Sequence, residues 1–155
     1  MNVESIGTLL LETILSGIGT IAFSVLFFVP KQYYGLCGLC GAAGWMVYSV
    51  LIQWGGTATE ATFLAAVAVI FLSRCFAVRE RCPATLFLIP GIFPLVPGAG
   101  VYWTSYYIVT NELSLALQTG FSALKAAVAI VLGIIFVFEI PQKFFAAVAG
   151  RKKGS

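Results

Sequence analysis

The sequence predicts an all-α integral membrane protein of five transmembrane helices, the fourth broken by a Pro/Gly-rich segment, with the N-terminus outside and the C-terminus cytoplasmic. Three observations carry this. Of the 155 residues, 60% are hydrophobic and only 10% charged, whereas a soluble domain carries about 25% charged residues. The apolar residues fall in runs close to the roughly 20 that span a bilayer. Lys and Arg collect at every second connection, as they do at cytoplasmic ends.

The first apolar run, about 6–29, stops at Pro30-Lys31. The first charge is Glu4 and no basic region precedes the run, so it reads as a retained helix rather than a signal peptide. The second run, about 34–54, ends at Gly55-Gly56, and the third, about 61–78, ends in Arg79-Glu80-Arg81. The fourth spans about 84–109 and the fifth about 115–138; a basic cytoplasmic tail, 139–155, follows. The chain thus forms a single transmembrane domain. Lys31, Arg79, Arg81, Lys143, Arg151, Lys152 and Lys153 all fall on one side, while the alternate connections carry Glu60 and Glu112. Arg74, one turn inside the third run, reads as a side chain snorkelling to the cytoplasmic end.

The fourth run contains Pro90, Gly91, Pro94, Pro97, Gly98 and Gly100 within eleven residues. Each proline removes a backbone donor and clashes with the preceding turn, so an uninterrupted helix is not expected. Broken backbone at membrane depth survives only where protein or a water-filled cavity satisfies it. The charge pattern favours a discontinuous crossing over a re-entrant loop, with a new half-helix starting near Gly100-Val101 and running through Tyr102. The N-terminus of such a half-helix points amides and partial positive charge inward, which suits an anionic group. The alternative is a kink that serves packing.

Two ionisable residues stand inside apolar runs. Lys125 lies about eleven residues into the fifth, on one side of the helix with Gln118 and Ser122. It reads as a cation for a carboxylate substrate, as a group that releases a proton during transport, or as half of a structural ion pair. Glu12, two turns into the first run, is its candidate partner and the best intramembrane proton carrier. Gly35, Gly38, Gly41 and Gly44 read as a packing ridge within the chain or against another subunit. Cys37-Gly-Leu-Cys40 has CxxC spacing but lies in an apolar run, where thiols act as small hydrophobes; no cofactor or metal is expected. With no His, no Asp and no phosphate-binding loop, the chain does not read as an enzyme or as a partner of nucleic acid.

The stretch Ile89-Pro90 through Phe93-Pro94-Leu95-Val96-Pro97-Gly98 with Tyr102, the aromatic run from Phe23 to Pro30, and the glycines Gly38–Gly44 resemble the threonine/serine exporter family. The likeness is to its small-subunit type, which includes the small component of bacterial two-component dicarboxylate exporters. It covers about residues 20–110. Some relatives carry Asn where Phe28 stands and His near Trp45; where those groups handle substrate or protons, this chain does so differently or handles another substrate. The resemblance implies secondary-active export of a small amino acid or dicarboxylate, an anionic or zwitterionic substrate. It also implies a larger membrane subunit of the same family as partner and a multi-pass place in the bacterial cytoplasmic (inner) membrane. A homo-oligomer is compatible with the glycine ridge. The competing reading is a structural or assembly subunit with no substrate site of its own.

Overall fold

The computed structural model describes residues 3–148, which among themselves form helices and no strand. They run α1 (Val3–Leu26), α2 (Tyr34–Gln53), α3 (Ala58–Glu80), α4 (Thr85–Ile92), α5 (Gly98–Val109), α6 (Leu113–Phe138) and α7 (Gln142–Val148), with 3-10 turns at Lys31–Tyr33 and Phe93–Leu95. The tail residues Arg151, Lys152 and Lys153 lie outside the described residues. Four segments are long and apolar enough to cross a membrane: Ile6–Leu26, Lys31–Gln53, Ala58–Glu80 and Leu113–Phe138. Thr85–Leu95 and Gly98–Val109, bent by 48° at their junction, make a fifth if they act as one span. Much of the outer surface is apolar, as at Leu10, Ile14 and Ile18 of α1 and Leu132, Ile135 and Phe136 of α6. A protein that meets lipid rather than water has this surface.

Helix ends depart from the sequence expectation for local reasons. α1, α2, α3 and α5 each close on a left-handed residue, respectively Phe28 (φ 55°), Gly55 (87°), Arg81 (56°) and Asn111 (62°). The next amide then bonds back five residues: Val29 to Ser24, Gly56 to Leu51, Cys82 to Ala77 and Glu112 to Tyr107, at 2.8–3.1 Å. These are Schellman closures, which satisfy carbonyls a helix end leaves open, and the first of them stops α1 at Leu26. α3 begins at Ala58 rather than near 61 because Thr57 and Glu60 form a capping box. Thr57 Oγ1 accepts from the Glu60 amide and Glu60 Oε2 from the Thr57 amide.

α2 and α3 form the centre, with α1 and α4 against α2, and α6, α7 and α4 against α3; α5 packs on α6. The expected single glycine ridge divides. Steps of three residues fall 60° short of a full turn, so successive glycines rotate around α2. A β-carbon at Gly38 or Gly41 would collide with Ile21 or Thr20 of α1, one at Gly44 would collide with Val69 of α3, and Gly35 faces open space. Cys37 and Cys40 are fully buried in this core.

The Pro/Gly run is more helical than the sequence implies. Pro90 and Gly91 lie inside α4, both buried, and the helical ladder fails at Val96 and Pro97. α5 then starts at Gly98, earlier than Gly100. Each carbonyl that a proline cannot serve finds another donor. The Leu86 carbonyl takes the Cys37 thiol at 3.4 Å, the Pro90 carbonyl takes the Phe93 amide, and the Phe93 carbonyl takes the Val96 amide at 3.1 Å. Phe93 itself lies against Phe23 of α1, ring centroids 3.6 Å apart, so two of the stretches that carried the resemblance meet in space.

At the end of the bundle that holds Arg79 and Arg81, Arg74 does more than snorkel. Its Nη1 donates to the carbonyls of Val137 (2.6 Å), Ile140 (2.9 Å) and Phe138 (3.3 Å). Its guanidinium also lies 4.2 Å from the Phe145 ring centroid. The stretch expected to be plain tail therefore includes α7, anchored by buried Phe145.

Candidate functional site

The broken backbone opens a cleft of about 470 Å³ between α2 and α3 on one side and the α5–α6 hairpin on the other. Its floor is Pro94 through Gly100; its walls are Trp45 and Tyr48 of α2, Ala58 and Thr62 of α3, Trp103 of α5, and Thr119, Ser122, Ala123 and Ala126 of α6. The sequence places this lining. Residues 119, 122, 123 and 126 repeat at helical spacing, and they turn inward because α6 meets α5 closely: a β-carbon at Gly100 would lie 3.0 Å from that of Ala123.

Among the described residues, no charged side chain lines the cleft. Its polarity comes from hydroxyls, indoles and backbone. Thr62 Oγ1 donates to the Ala58 carbonyl at 2.7 Å and keeps its acceptor capacity; Thr119 Oγ1 donates to that of Leu115 at 2.8 Å and accepts from Thr104 Oγ1 at 3.1 Å, which leaves it one lone pair. Because Val96 is extended (ψ 128°) and Pro97 is not helical (ψ 53°), the amides of Ala99 and Gly100 have no carbonyl from a preceding turn. They are open donors at a helix N-terminus. The cleft thus combines an anion-favouring backbone corner, hydroxyl partners and indole faces that attract a cation.

The expected site residues are divided by the fold. Pro94, Pro97, Gly98 and Gly100 line the cleft. Pro90 and Gly91 support it from the core, where a β-carbon at Gly91 would lie 2.9 Å from that of Cys40. Tyr102 is exposed on α5, with its ring edge-on to Trp103. Gln118 is exposed on α6 outside the cleft. Lys125 lines a separate groove with Thr59, Glu60 and Phe63, its Nζ 5.4 Å from the Phe121 ring centroid. One step of about 100° along α6 separates Lys125 from Ala126 of the cleft. Glu12 does not meet Lys125: α1 packs on α2 and α4, whereas α6 packs on α3 and α5. Glu12 Oε2 instead accepts from Trp45 Nε1 at 3.2 Å. Trp45, Tyr48, Thr62, Trp103 and Thr119 join the site from outside the sequence-expected set; their signal is a polar-tipped side chain inside an otherwise apolar run.

The family described as "Threonine/Serine exporter, ThrE" matches residues 12–140. A protein of Mycobacterium tuberculosis named "Probable threonine/serine exporter" is 25% identical over 118 residues, covering 73% of this chain and 22% of the relative. The chain therefore spans about a fifth of that relative's length. No solved structure matches. The match over 12–140 takes in α2 to α6 with the cleft they form, and on it the chain belongs to the threonine/serine exporter family.

Proposed function

We propose that this chain is one membrane subunit of a secondary-active exporter and that the cleft holds a small zwitterion of the serine or threonine kind. The observation that carries the reading is the cleft's polar lining: open donor amides at Ala99 and Gly100, acceptor hydroxyls on Thr62 and Thr119, the hydroxyl of Ser122, and, among the described residues, no charged side chain on the lining. A carboxylate takes the amides, an ammonium takes the faces of Trp45 and Trp103, and a substrate hydroxyl takes Thr62 or Ser122. A dicarboxylate is the second substrate class, since the amides serve either. Orientation follows the basic residues: N-terminus outside, with Lys31, Arg79, Arg81 and Lys143 at the cytoplasmic face of a bacterial inner membrane. The cleft then opens toward the outer leaflet. Its partner in this reading is a larger membrane subunit of the same family, as the family resemblance implies.

Protection of an introduced thiol tests the site. Ala99→Cys, in a chain whose Cys75 and Cys82 are replaced by Ser, is labelled with a membrane-permeant maleimide. Serine or threonine slows the labelling if the zwitterion binds, and succinate slows it if the dicarboxylate does. Labelling that neither substrate slows removes the cleft as a substrate site. One observation favours the competing reading of a structural subunit: α5 has no buried residue, so a face of the hairpin is available to another chain.

A further inference from the structure

Glu12 stands six residues beyond Ile6, where its span begins, about 9 Å along the helix. A carboxylate at such depth is expensive and marks a function or a partner. Its partner is the indole of Trp45, whose Nε1 donates to Glu12 Oε2 at 3.2 Å. The same indole lies 5.4 Å from the Tyr48 ring, centroid to centroid, and both rings line the cleft. Trp45 therefore touches both the carboxylate and the cleft. The elements packed against α1 are α2, α4 and the turn Phe93–Leu95, and none carries a charged side chain. Their ionisable groups are Tyr34, Cys37, Cys40 and Tyr48. On α1 itself, Glu4 lies about two turns earlier in sequence.

We propose that Glu12 is the proton-carrying group of this subunit and that Trp45 is the latch through which its protonation reaches the cleft. Ionised Glu12 holds the indole by a charge-assisted hydrogen bond, about twice as strong as a neutral one. Uptake of one proton by the carboxylate, giving the carboxylic acid, weakens that bond and frees the indole to move across the cleft wall. Loss of the same proton restores it. The inference rests on the reading of the cleft as a substrate site, but its first test needs no substrate.

The chain carries three tryptophans, so Trp54→Phe with Trp103→Phe leaves Trp45 as the single reporter. In reconstituted protein, Trp45 emission is followed from about pH 4 to about pH 9. A one-proton transition that disappears in Glu12→Gln is the expected result. A flat trace, or one that persists in Glu12→Gln, overturns the proposal. The link to the cleft is read separately, from labelling of Ala99→Cys under the same titration, compared with an exposed reference cysteine at Leu117. Relative labelling changes roughly fivefold across the transition, the factor for a change in one such bond, and is flat in both Glu12→Gln and Trp45→Phe. If Glu12→Gln does not fold, Trp45→Phe, which keeps a ring and removes the donor, decides the same question through the labelling. Emission that titrates while the cleft does not respond also overturns the latch. Absence of substrate protection with the titration intact removes the export reading and leaves the latch standing.

Discussion

Cys37 donates its thiol to the carbonyl of Leu86 at 3.4 Å, and Leu86 is the residue whose helical partner would have been the amide that Pro90 lacks. The first cysteine of the CxxC pair thus completes the backbone of a proline-containing helix. A thiol is a weak donor, yet a carbonyl left without one in an apolar setting costs about 1–3 kcal/mol. Cys37→Val keeps apolar volume and removes the donor, so it lowers the stability of the detergent-solubilised protein by about 1 kcal/mol. Cys37→Ser keeps a donor and stays close to the parent. Thermal unfolding of the two variants checks this; a valine variant as stable as the serine one refutes the role.

Phe28 ends α1 in the left-handed region at φ 55° while its side chain is 93% exposed. A β-carbon in that conformation costs roughly 1–2 kcal/mol, and almost no packing is recovered. Asn tolerates the region better because its side chain bonds locally. Phe28→Asn therefore raises the thermal midpoint, by the equivalent of about 1 kcal/mol, whereas Phe28→Val, β-branched, lowers it. Midpoints measured in the same detergent decide the order.

The large features of this fold are legible in the sequence because each is set by composition along one stretch. Apolar runs mark the spans, and the Pro/Gly run marks the stretch in which the helix fails, although only at Val96 and Pro97. What a single strand of sequence does not contain is rotation about a helix axis. Ser122, Gln118 and Lys125 share a polar side on a helical wheel, but only Ser122 enters the cleft. The close approaches of Gly100 to Ala123 and of Gly120 to Thr104 decide which arc of α6 turns inward. The partner of Glu12 is hidden for the same reason, since depth alone points to Lys125 and helix adjacency gives Trp45. Thr57 and Glu60, by contrast, form a capping box that the sequence does spell out, and it carries α3 beyond the apolar run that marks its span.

Arg74 satisfies three carbonyls at the end of α6 and covers the ring of Phe145. The three acceptors lie around a turn, and the flat guanidinium reaches them while stacking on the ring; a lysine ammonium is a point charge without that face. Arg74→Leu leaves the carbonyls unserved and loosens α7, costing about 2–3 kcal/mol, and Arg74→Lys falls between it and the parent. Limited trypsin digestion reads this at Lys143 in α7, followed by mass spectrometry. Faster cleavage in the order parent, Lys, Leu is expected; equal rates in all three refute the anchoring.

Cys82 sits in the connection between α3 and α4, beyond the left-handed Arg81. Burial raises its thiol above the ordinary cysteine range, the charge of Glu80 raises it further, and a hydrogen bond with Tyr33 opposes them. Maleimides react with the thiolate, and a raised thiol pKa means that less thiolate is present at neutral pH. Labelling of Cys82 is thus slower near pH 7 than that of a free thiol and keeps climbing as the pH rises past the ordinary value. Glu80→Gln removes the nearby negative charge, lowers the pKa and speeds labelling at neutral pH. Stopped labelling followed by peptide mass spectrometry measures both rates. With a membrane-impermeant maleimide the same residue reports sidedness: reaction in inverted vesicles and protection in intact cells is expected for the proposed orientation, and the reverse pattern refutes it.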